Sequence, residues 1–372
     1  MNSREDLLYL EMAYGLAEKA RGRTSPNPCV GSVIVKDGRI LGAGFHREAG
    51  EPHAEIIALA EAGSRTGGGT IYITLEPCVH WGRTPPCAAS LVRAGLRRAV
   101  ISAIDPNPLV NSRGVRALRK AGIEVSIGLL REKNLRLNES YLKYISRRIP
   151  FVTLKAAMSV DGRIAAGNGR PGMISSREAW DYVHLLRGGN DAILAGIGTI
   201  LGDDPRLTVR HPLWKAKKIT RVILDSELRT PPGAGIFGKQ GATPGEAHKG
   251  ILIFCRKRAS VQNARALEAR GAEIVRVSSS AAGLDLGRVL EELGKREVSS
   301  LLVEGGSRVF TSFIEAGLAD KIILFVSPKL IGGKTSPSFL EGAGAASIEA
   351  AFSLRDTRCF PVGDDWMIEG YF

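Results

Sequence analysis

The sequence predicts two α/β domains, on three observations: a length of 372 residues, apolar runs of strand length that alternate with helical periodicity along the chain, and a fresh α/β series that starts after Pro150. A chain this long exceeds most single domains, and each half can bury its own core. Hydrophobic residues make up 44% and charged residues 24%, a globular composition without low-complexity tracts or an apolar run long enough to cross a bilayer. The start, MNSREDLLYL, carries acidic residues and no basic segment leading into a continuous apolar stretch. A signal peptide is therefore not expected, and a soluble cytoplasmic protein is.

In the first domain, taken as residues 1–145, Leu7, Leu10, Tyr14 and Ala17 recur at helical spacing, and Gly22 offers a stop. VGSVIVKDGRILGAG sets two β-branched runs around Asp37 and Gly38, a hairpin signal. HAEIIALAEAG then reads as helix, TIYITL as strand, PPCAASLVRAG as helix, RRAVISAI as strand, SRGVRALRKAG as helix and IEVSIG as strand. The pattern is an α/β/α sandwich with one hairpin near its start.

LNESYLKYISRRIP reads as a link, and a second domain follows over residues 150–372. Its strands are FVTLKAAMSVDG, DAILAG, TRVILDS, GILIFC, EIVRV and SSLLVEG, with SREAWDYVHLLRG, SVQNARALEARG and GLDLGRVLEELGK as helices. That alternation favours a largely parallel sheet. Residues 229–249, rich in Gly and Pro, read as a long irregular surface loop.

Five cysteines do not make a disulfide framework in a chain of this length, and a reducing compartment fits better. Cys29, Cys255 and Cys359 have no ligand partners nearby in sequence and are expected as small buried hydrophobes. A formal charge of +13 points to an anionic partner, either nucleic acid or a phosphorylated small molecule.

The chemistry of the first domain rests on His53, Glu55, Cys78 and Cys87. His53 and Glu55 stand as His-Ala-Glu at the start of a helix, Cys78 follows Pro77 directly after a strand, and Cys87 opens the next helix. Helix N-termini favour thiolates, and one His with two Cys leaves the fourth tetrahedral position of a zinc ion for water, as a catalytic site requires. Glu55 is then placed to take a proton from that water and deliver it to a leaving amine. Singly, these residues read as a buried His and unrelated core cysteines; together they match the zinc deaminase signature, with one departure. That signature has two residues between its cysteines, whereas eight, VHWGRTPP, intervene in this chain.

PCVHWGRTPPC, with its longer loop, resembles the bifunctional riboflavin biosynthesis deaminase/reductase family, as do RTSPNPCVGSVIV, GAGFHREAGEPHAE and TLEPC. VTLKAAMSVDGRIA, LLRGGNDAILAGIGTILGDDPRLTVR and LLVEGGSRV continue the likeness in family order through the second half. The resemblance implies two consecutive reactions on one phosphorylated pyrimidine: removal of the 2-amino group of a diaminopyrimidinone bearing a phosphoribosylamino group, then NADPH-dependent opening and reduction of the ribose to a ribityl chain. It implies a cytidine-deaminase-like sandwich for the first domain, that Asn27 holds the substrate and that His46 and His80 line the pocket. By itself Asn27, between two prolines, reads equally as a turn residue. Phosphorylated ligands account for the basic charge without nucleic acid or membrane, and a homo-oligomer is expected.

For the second domain the resemblance implies a dihydrofolate-reductase-like fold, with the cofactor at the carboxyl ends of the strands. Ala157, Thr199, Asp203, Ser226, Gly306, Ser307, Arg308, Val309, Phe310, Thr311 and Ser312 would contact the cofactor. Lys155, Arg187, Leu207, Arg210 and Glu304 would contact the substrate, with Lys155 and Glu304 as candidate proton donors beside a bound water. The family commonly has an aromatic residue preceded by a serine where GRPGMISS offers Met173 and Pro171. Met173 is kept as a cofactor contact and Pro171 is not.

The residues alone allow plainer readings. VEGGSRVFTS runs from strand to helix through two glycines, which suits a phosphate at the helix N-terminus but also occurs without a ligand. Arg187 and Arg210 could grip a phosphate with two bonds or be solvated surface charges. Leu207 could be core, and Asp203, before Asp204 and Pro205, a turn. Asp225 ends a strand as a ribose-binding acid does in a Rossmann domain, but the preceding glycine fingerprint is missing. Ser226 and the run Arg256, Lys257, Arg258 could meet a 2′-phosphate, or that run could be a solvated loop.

Two other classes of function are weighed against this reading. An RNA-editing deaminase is disfavoured by the long intercysteine loop and by a second half without an aromatic RNA-binding motif or concentrated basic run. A scaffold protein with a structural zinc is disfavoured by Glu55, because such a site has no use for a general base.

Overall fold

Asp37 and Gly38 both take positive φ, 51° and 72°, the backbone that a two-residue hairpin turn needs. They join β1 (Gly31–Lys36) to β2 (Arg39–Phe45) in the computed structural model of the chain, which describes residues 3–81, 85–167, 172–214, 217–238, 250–281 and 283–372. The chain divides into two units, Met1–Arg148 and Ile149–Phe372. Among the described residues no helix is long and apolar enough to cross a membrane.

In the first unit, β3 (Thr70–Leu75), β4 (Arg98–Ala103) and β5 (Glu124–Ile127) complete a sheet in the order β2-β1-β3-β4-β5. β1 runs antiparallel to both β2 and β3, and β3, β4 and β5 run parallel to one another. Alternation along the strands makes two apolar faces. Val33, Tyr72 and Val100 pack on Leu10 and Ala13 of α1 (Ser3–Glu18), whereas Ile34, Ile71, Ile73 and Ile101 pack with Ala54 and Ala58 of α2 (Ala54–Ala62) and Leu91 of α3 (Cys87–Arg93). Leu118 of α4 (Arg113–Lys120) joins this second cluster.

The expected sandwich is therefore present, with two corrections. Leu7 shares the period of Leu10 but is 41% exposed, so the buried apolar stripe of α1 begins one turn later. The supposed link, residues 137–150, is mostly α6 (Glu139–Arg147), which follows α5 (Arg131–Leu137), with Tyr141 and Tyr144 buried and Tyr141 in the core of the first unit.

Among the described residues the second unit holds nine strands in one sheet. β6 (Phe151–Ser159), β7 (Ala192–Gly196), β8 (Thr220–Leu224), β9 (Ile251–Arg256) and β10 (Glu273–Val277) are the expected apolar runs. A two-strand ladder, β11 (Ser279–Ser280) and β12 (Gly283–Leu284), precedes β13 (Ser300–Val303). Three strands with no counterpart among the predicted elements follow: β14 (Lys321–Ser327), β15 (Arg355–Val362) and β16 (Asp365–Tyr371). The order is β10-β9-β8-β7-β13-β6-β14-β16-β15, parallel up to β14 and antiparallel for the last two strands.

The helices are α7 (Arg177–Gly188), α8 (Ile197–Asp203), α9 (Val261–Glu268), α10 (Leu286–Lys295) and α11 (Ser307–Glu315). One cluster joins Phe254, Leu290, Leu301, Phe310 and Phe313, and another joins Ile193, Ile223, Ile236, Phe237 and Ile253. The second corrects the loop assignment for residues 229–249: Ile236 and Phe237 are fully buried, while 239–249 lie outside the described residues. Cys29 and Cys255 are buried as expected, but Cys359, on the terminal strand β15, is exposed.

Candidate active sites

The first site forms where α2 and α3 meet the sheet. Gly42 and Gly44 let α2 lie against β2, since a Cβ at Gly42 would sit 2.2 Å from the Ala58 carbonyl oxygen and one at Gly44 2.7 Å from that of Ala54. His53 is the N-cap of α2 and Glu55 lies in its first turn. The loop after β3 is tied to α3, because the Cys87 N–H donates to Cys78 Sγ at 3.4 Å and the Ala88 N–H to the Cys78 carbonyl at 3.1 Å. His53 Nδ1 then lies 3.2 Å from Cys87 Sγ and 3.6 Å from Cys78 Sγ.

These three ligand atoms lie within 4.8 Å of one another. A tetrahedral zinc with Zn–N and Zn–S bonds of about 2.0 and 2.3 Å sets its nitrogen and sulfur ligands about 3.5 Å apart, so the spacing and the donor set both fit that ion. A hydrogen bond from Cys87 and the neighbouring His53 ring hold the Cys78 thiol below its ordinary range, while that bond and burial push Cys87 up. Glu55 is buried, and burial lifts its carboxyl to about 7.

Asn27 and His46 also converge on this site. The Asn27 Nδ2 lies 3.1 Å from His46 Nε2, and His46 Nδ1 lies 3.2 Å from the Pro52 carbonyl, so a neutral ring protonated at Nδ1 satisfies both contacts. Burial lowers the His46 pKa and supports that neutral form. The His46 and His53 rings meet edge-on at 5.3 Å. His80 is half-buried on the Cys78 loop, and its Nδ1 is buried with no hydrogen-bond partner among the described residues.

Sequence reasoning passed over Glu76, although it stands in TLEPC. Its buried carboxylate accepts from the backbone N–H groups of Asp105, Ser112 and Val115 at 3.3, 2.9 and 3.0 Å. It thereby fixes the loop that begins with Pro77 and Cys78. Asp105 in turn accepts from the Tyr141 hydroxyl at 2.9 Å, a link between segments 36 residues apart that no local motif marks.

The second site lies at the carboxyl ends of β6, β7 and β13. Arg187 binds Glu304 through Nε to Oε1 at 2.7 Å and Nη2 to Oε2 at 2.8 Å, and Lys155 Nζ stands 3.5 Å from Oε2. All three side chains are buried or nearly so. Arg187 is thus no solvated surface charge: its guanidinium also donates to the Thr208 carbonyl at 3.1 Å. The cations beside Glu304 hold its carboxyl at about 2 against the opposing effect of burial.

Arg210 is exposed, its backbone N–H donates to His184 Nδ1 at 3.1 Å, and its guanidinium lies 5.9 Å from the Trp180 ring. Leu207 is buried in the core at φ 46°, and Asp203 closes α8 before Asp204, whose Oδ1 accepts from the Gly235 N–H at 2.6 Å.

Gly306 caps α11, and an added Cβ there would lie 4.0 Å from Thr199 Oγ1, so the starts of α8 and α11 adjoin after β7 and β13. Val309 fills the space over Gly196 and Gly305. Ser307 is buried and donates to the Ser338 carbonyl, Phe310 is core against Phe339, and Arg308 is 93% exposed. Thr311 Oγ1 exchanges hydrogen bonds with the Glu341 backbone, and Ser312 donates to the Arg308 carbonyl. Ala157 is half-buried on β6, Ser226 half-buried after β8, and Met173 62% exposed. Asp225 is fully buried, its Oδ2 accepting from the Thr230 backbone and hydroxyl, so it shapes a turn. Pro171 lies outside the described residues.

Residues 3–103 match the cytidine and deoxycytidylate deaminase zinc-binding region, and residues 150–368 match the RibD C-terminal domain. The riboflavin biosynthesis protein RibD of Aquifex aeolicus is 39% identical over 98% of this chain and 97% of its own. The chain belongs to the RibD family. The RibD of Escherichia coli K12 is likewise 39% identical, over 88% of this chain and 89% of its own. Among solved structures, Acinetobacter baumannii RibD superposes with a TM-score of 0.87 at 33% identity, covering 99% of both chains. The Thermotoga maritima diaminohydroxyphosphoribosylaminopyrimidine deaminase/5-amino-6-(5-phosphoribosylamino)uracil reductase gives 0.83 at 31% identity, also over 99% of both. As a member of this family, the chain is a bifunctional enzyme of riboflavin biosynthesis, with a zinc-binding deaminase domain and an NADPH-dependent reductase domain.

Proposed function

We propose that residues 1–145 deaminate 2,5-diamino-6-(5-phosphoribosylamino)pyrimidin-4-one to 5-amino-6-(5-phosphoribosylamino)uracil, and that residues 150–372 reduce the ribosyl chain of that product with NADPH. The observation that carries the first step is the convergence of His53, Cys78 and Cys87 beside buried Glu55. Those three residues would hold zinc, which when bound acts as a Lewis acid and lowers the pKa of a coordinated water to about 7.

Glu55 does the proton work. A carboxyl lifted to about 7 by burial both accepts and releases a proton near neutrality, so it takes one from the attacking water and passes it to the departing amine. Asn27, steered by His46, presents its amide to the pyrimidine, and His80 offers a further polar contact. The neutral His46 ring keeps cationic charge away from the leaving ammonia.

In the reductase domain, NADPH supplies a hydride. The helix starts at Thr199 and Gly306 would receive its phosphates, joined by Ala157, Met173, Asp203, Ser226 and the segment Ser307 to Ser312. Some of these contacts are backbone ones, since Ser307 and Phe310 turn their side chains inward. Glu304, locked by Arg187 and Lys155, faces the ribose, Leu207 shapes the pocket wall, and Arg210 meets the substrate phosphate. Lys155 is buried and has its pKa lowered by that burial, which suits it to give up a proton during reduction.

Cytoplasmic residence, assembly as a homo-oligomer and independence of nucleic acid and membrane belong to the same reading. Assay of the purified chain with the diaminopyrimidine tests the whole: deamination without NADPH, and a ribityl product only with it. Failure to release ammonia from that pyrimidine would remove the proposed substrate.

A further inference from the structure

The segment 104–149 lies outside both family matches, 3–103 and 150–368, yet it reaches into the deaminase site. We propose that Asn138, at the junction of α5 and α6, is a positioning residue for deamination, because its amide grips both backbone groups of Cys29 and so sets Asn27 against His46. This rests on the reading of Asn27 as a substrate contact.

The grip is a two-way one across 109 residues of sequence. The Cys29 N–H donates to Asn138 Oδ1 at 2.7 Å, and Asn138 Nδ2 donates back to the Cys29 carbonyl at 3.1 Å. Nδ2 also faces the carbonyl and Oδ1 of Asn134 at 3.4 and 3.2 Å. A flipped amide would set Nδ2 against the Cys29 N–H and Oδ1 against oxygens, so the network fixes its orientation. Asn138, Asn134 and Cys29 are all buried, and a buried backbone pair left without partners is costly.

The grip is passed along a short, stiff stretch of chain. Pro28 alone separates Cys29 from Asn27, and its ring fixes φ, while the Asn27 N–H is tied to the Thr24 carbonyl at 2.8 Å. On the other side the His46 N–H donates to the Val30 carbonyl at 2.9 Å. A shift at Cys29 therefore moves Asn27 and His46 relative to each other.

The test uses the purified full-length chain and Asn138→Asp, which keeps size and acceptor but sets oxygen against the Cys29 carbonyl. The expected result is retained zinc, unchanged NADPH-dependent reduction of the deaminated pyrimidine, and a deaminase kcat/KM lower by about 10- to 100-fold, mostly through KM. In an Asn27→Ala background the same change should add little, because it acts through Asn27; a merely structural role would add its full effect. Wild-type deaminase KM in Asn138→Asp, or an undiminished effect in the Asn27→Ala background, would overturn the proposal. Asn27→Ala with unaltered KM would instead overturn the reading of Asn27 on which it rests. If Asn138→Asp loses zinc or fails to fold, Asn138→Ser, whose shorter side chain cannot bridge both Cys29 groups, takes its place: a raised KM that vanishes in the Asn27→Ala background supports the proposal, and a wild-type KM overturns it.

Discussion

Arg187 and Glu304 meet as a two-bond fork, Nε to Oε1 at 2.7 Å and Nη2 to Oε2 at 2.8 Å, inside the second domain rather than on its surface. Removing one partner of such a buried pair typically costs about 3–5 kcal/mol. Arg187→Met should therefore lower the melting temperature of the reductase domain and its kcat/KM, while zinc content and deamination stay at wild-type values. Calorimetry with both assays checks this, and an unchanged melting temperature would show that the fork contributes little.

Cys87→Ser should remove most bound zinc. The physical reason is the tight convergence of His53, Cys78 and Cys87, whose ligand atoms lie within 4.8 Å of one another. Metal analysis should find about one zinc per wild-type chain, as this three-residue ligand set implies, and far less in the variant. Equal zinc in both would mean that another set holds the metal.

His184 has its pKa lowered to about 4 by burial first and then by Arg187 and Arg210, with Glu304 and Asp181 acting the other way. Between an ordinary histidine pKa of about 6.5 and about 4, the unfolded chain binds a proton that the folded ring refuses. The neutral ring's stabilising contribution is complete above the upper value and is lost as pH falls through the lower one. His184→Gln keeps an acceptor for the Arg210 N–H but does not titrate. Its melting temperature should thus fall less steeply across that window, and a slope equal to wild type would exclude His184 as a source.

The reductase should use NADPH with a higher kcat/KM than NADH. Ser226 and Arg256 adjoin at the ends of β8 and β9, with an Arg256 N–H to Ser226 carbonyl bond of 3.2 Å, and Glu227 holds the Arg256 side chain at 2.6 Å. Arg256→Ala should narrow the preference by raising the KM for NADPH alone. Steady-state reduction with each cofactor decides the matter, and equal efficiency in the wild type would sink the idea.

Much of this was legible in local sequence. His53 and Glu55 lie two positions apart, Cys78 follows a strand, and the hairpin turn at Asp37 and Gly38 needs backbone that its own residues favour. The Arg187–Glu304 fork was not legible, because its members are 117 residues apart and Arg187 taken singly reads equally as a solvated surface charge. α6 passed for a link because its charged residues outnumber its buried ones, although Tyr141 and Tyr144 are buried. β15 left no signal at all: six of its eight residues are exposed, so no alternation marks it. Phe237 is buried beside a Gly- and Pro-rich stretch whose composition speaks only of turns.

The central claim, that Glu55 moves the proton in a deamination that feeds the reductase, is tested most directly by NADPH oxidation in Glu55→Gln. An amide keeps the shape but cannot take up the proton, and general acid–base catalysis contributes about 100- to 10,000-fold. With the diaminopyrimidine as substrate, the variant should retain its zinc yet oxidise NADPH slower by such a factor, while the deaminated pyrimidine restores the wild-type rate. A wild-type rate on the diaminopyrimidine would contradict the account.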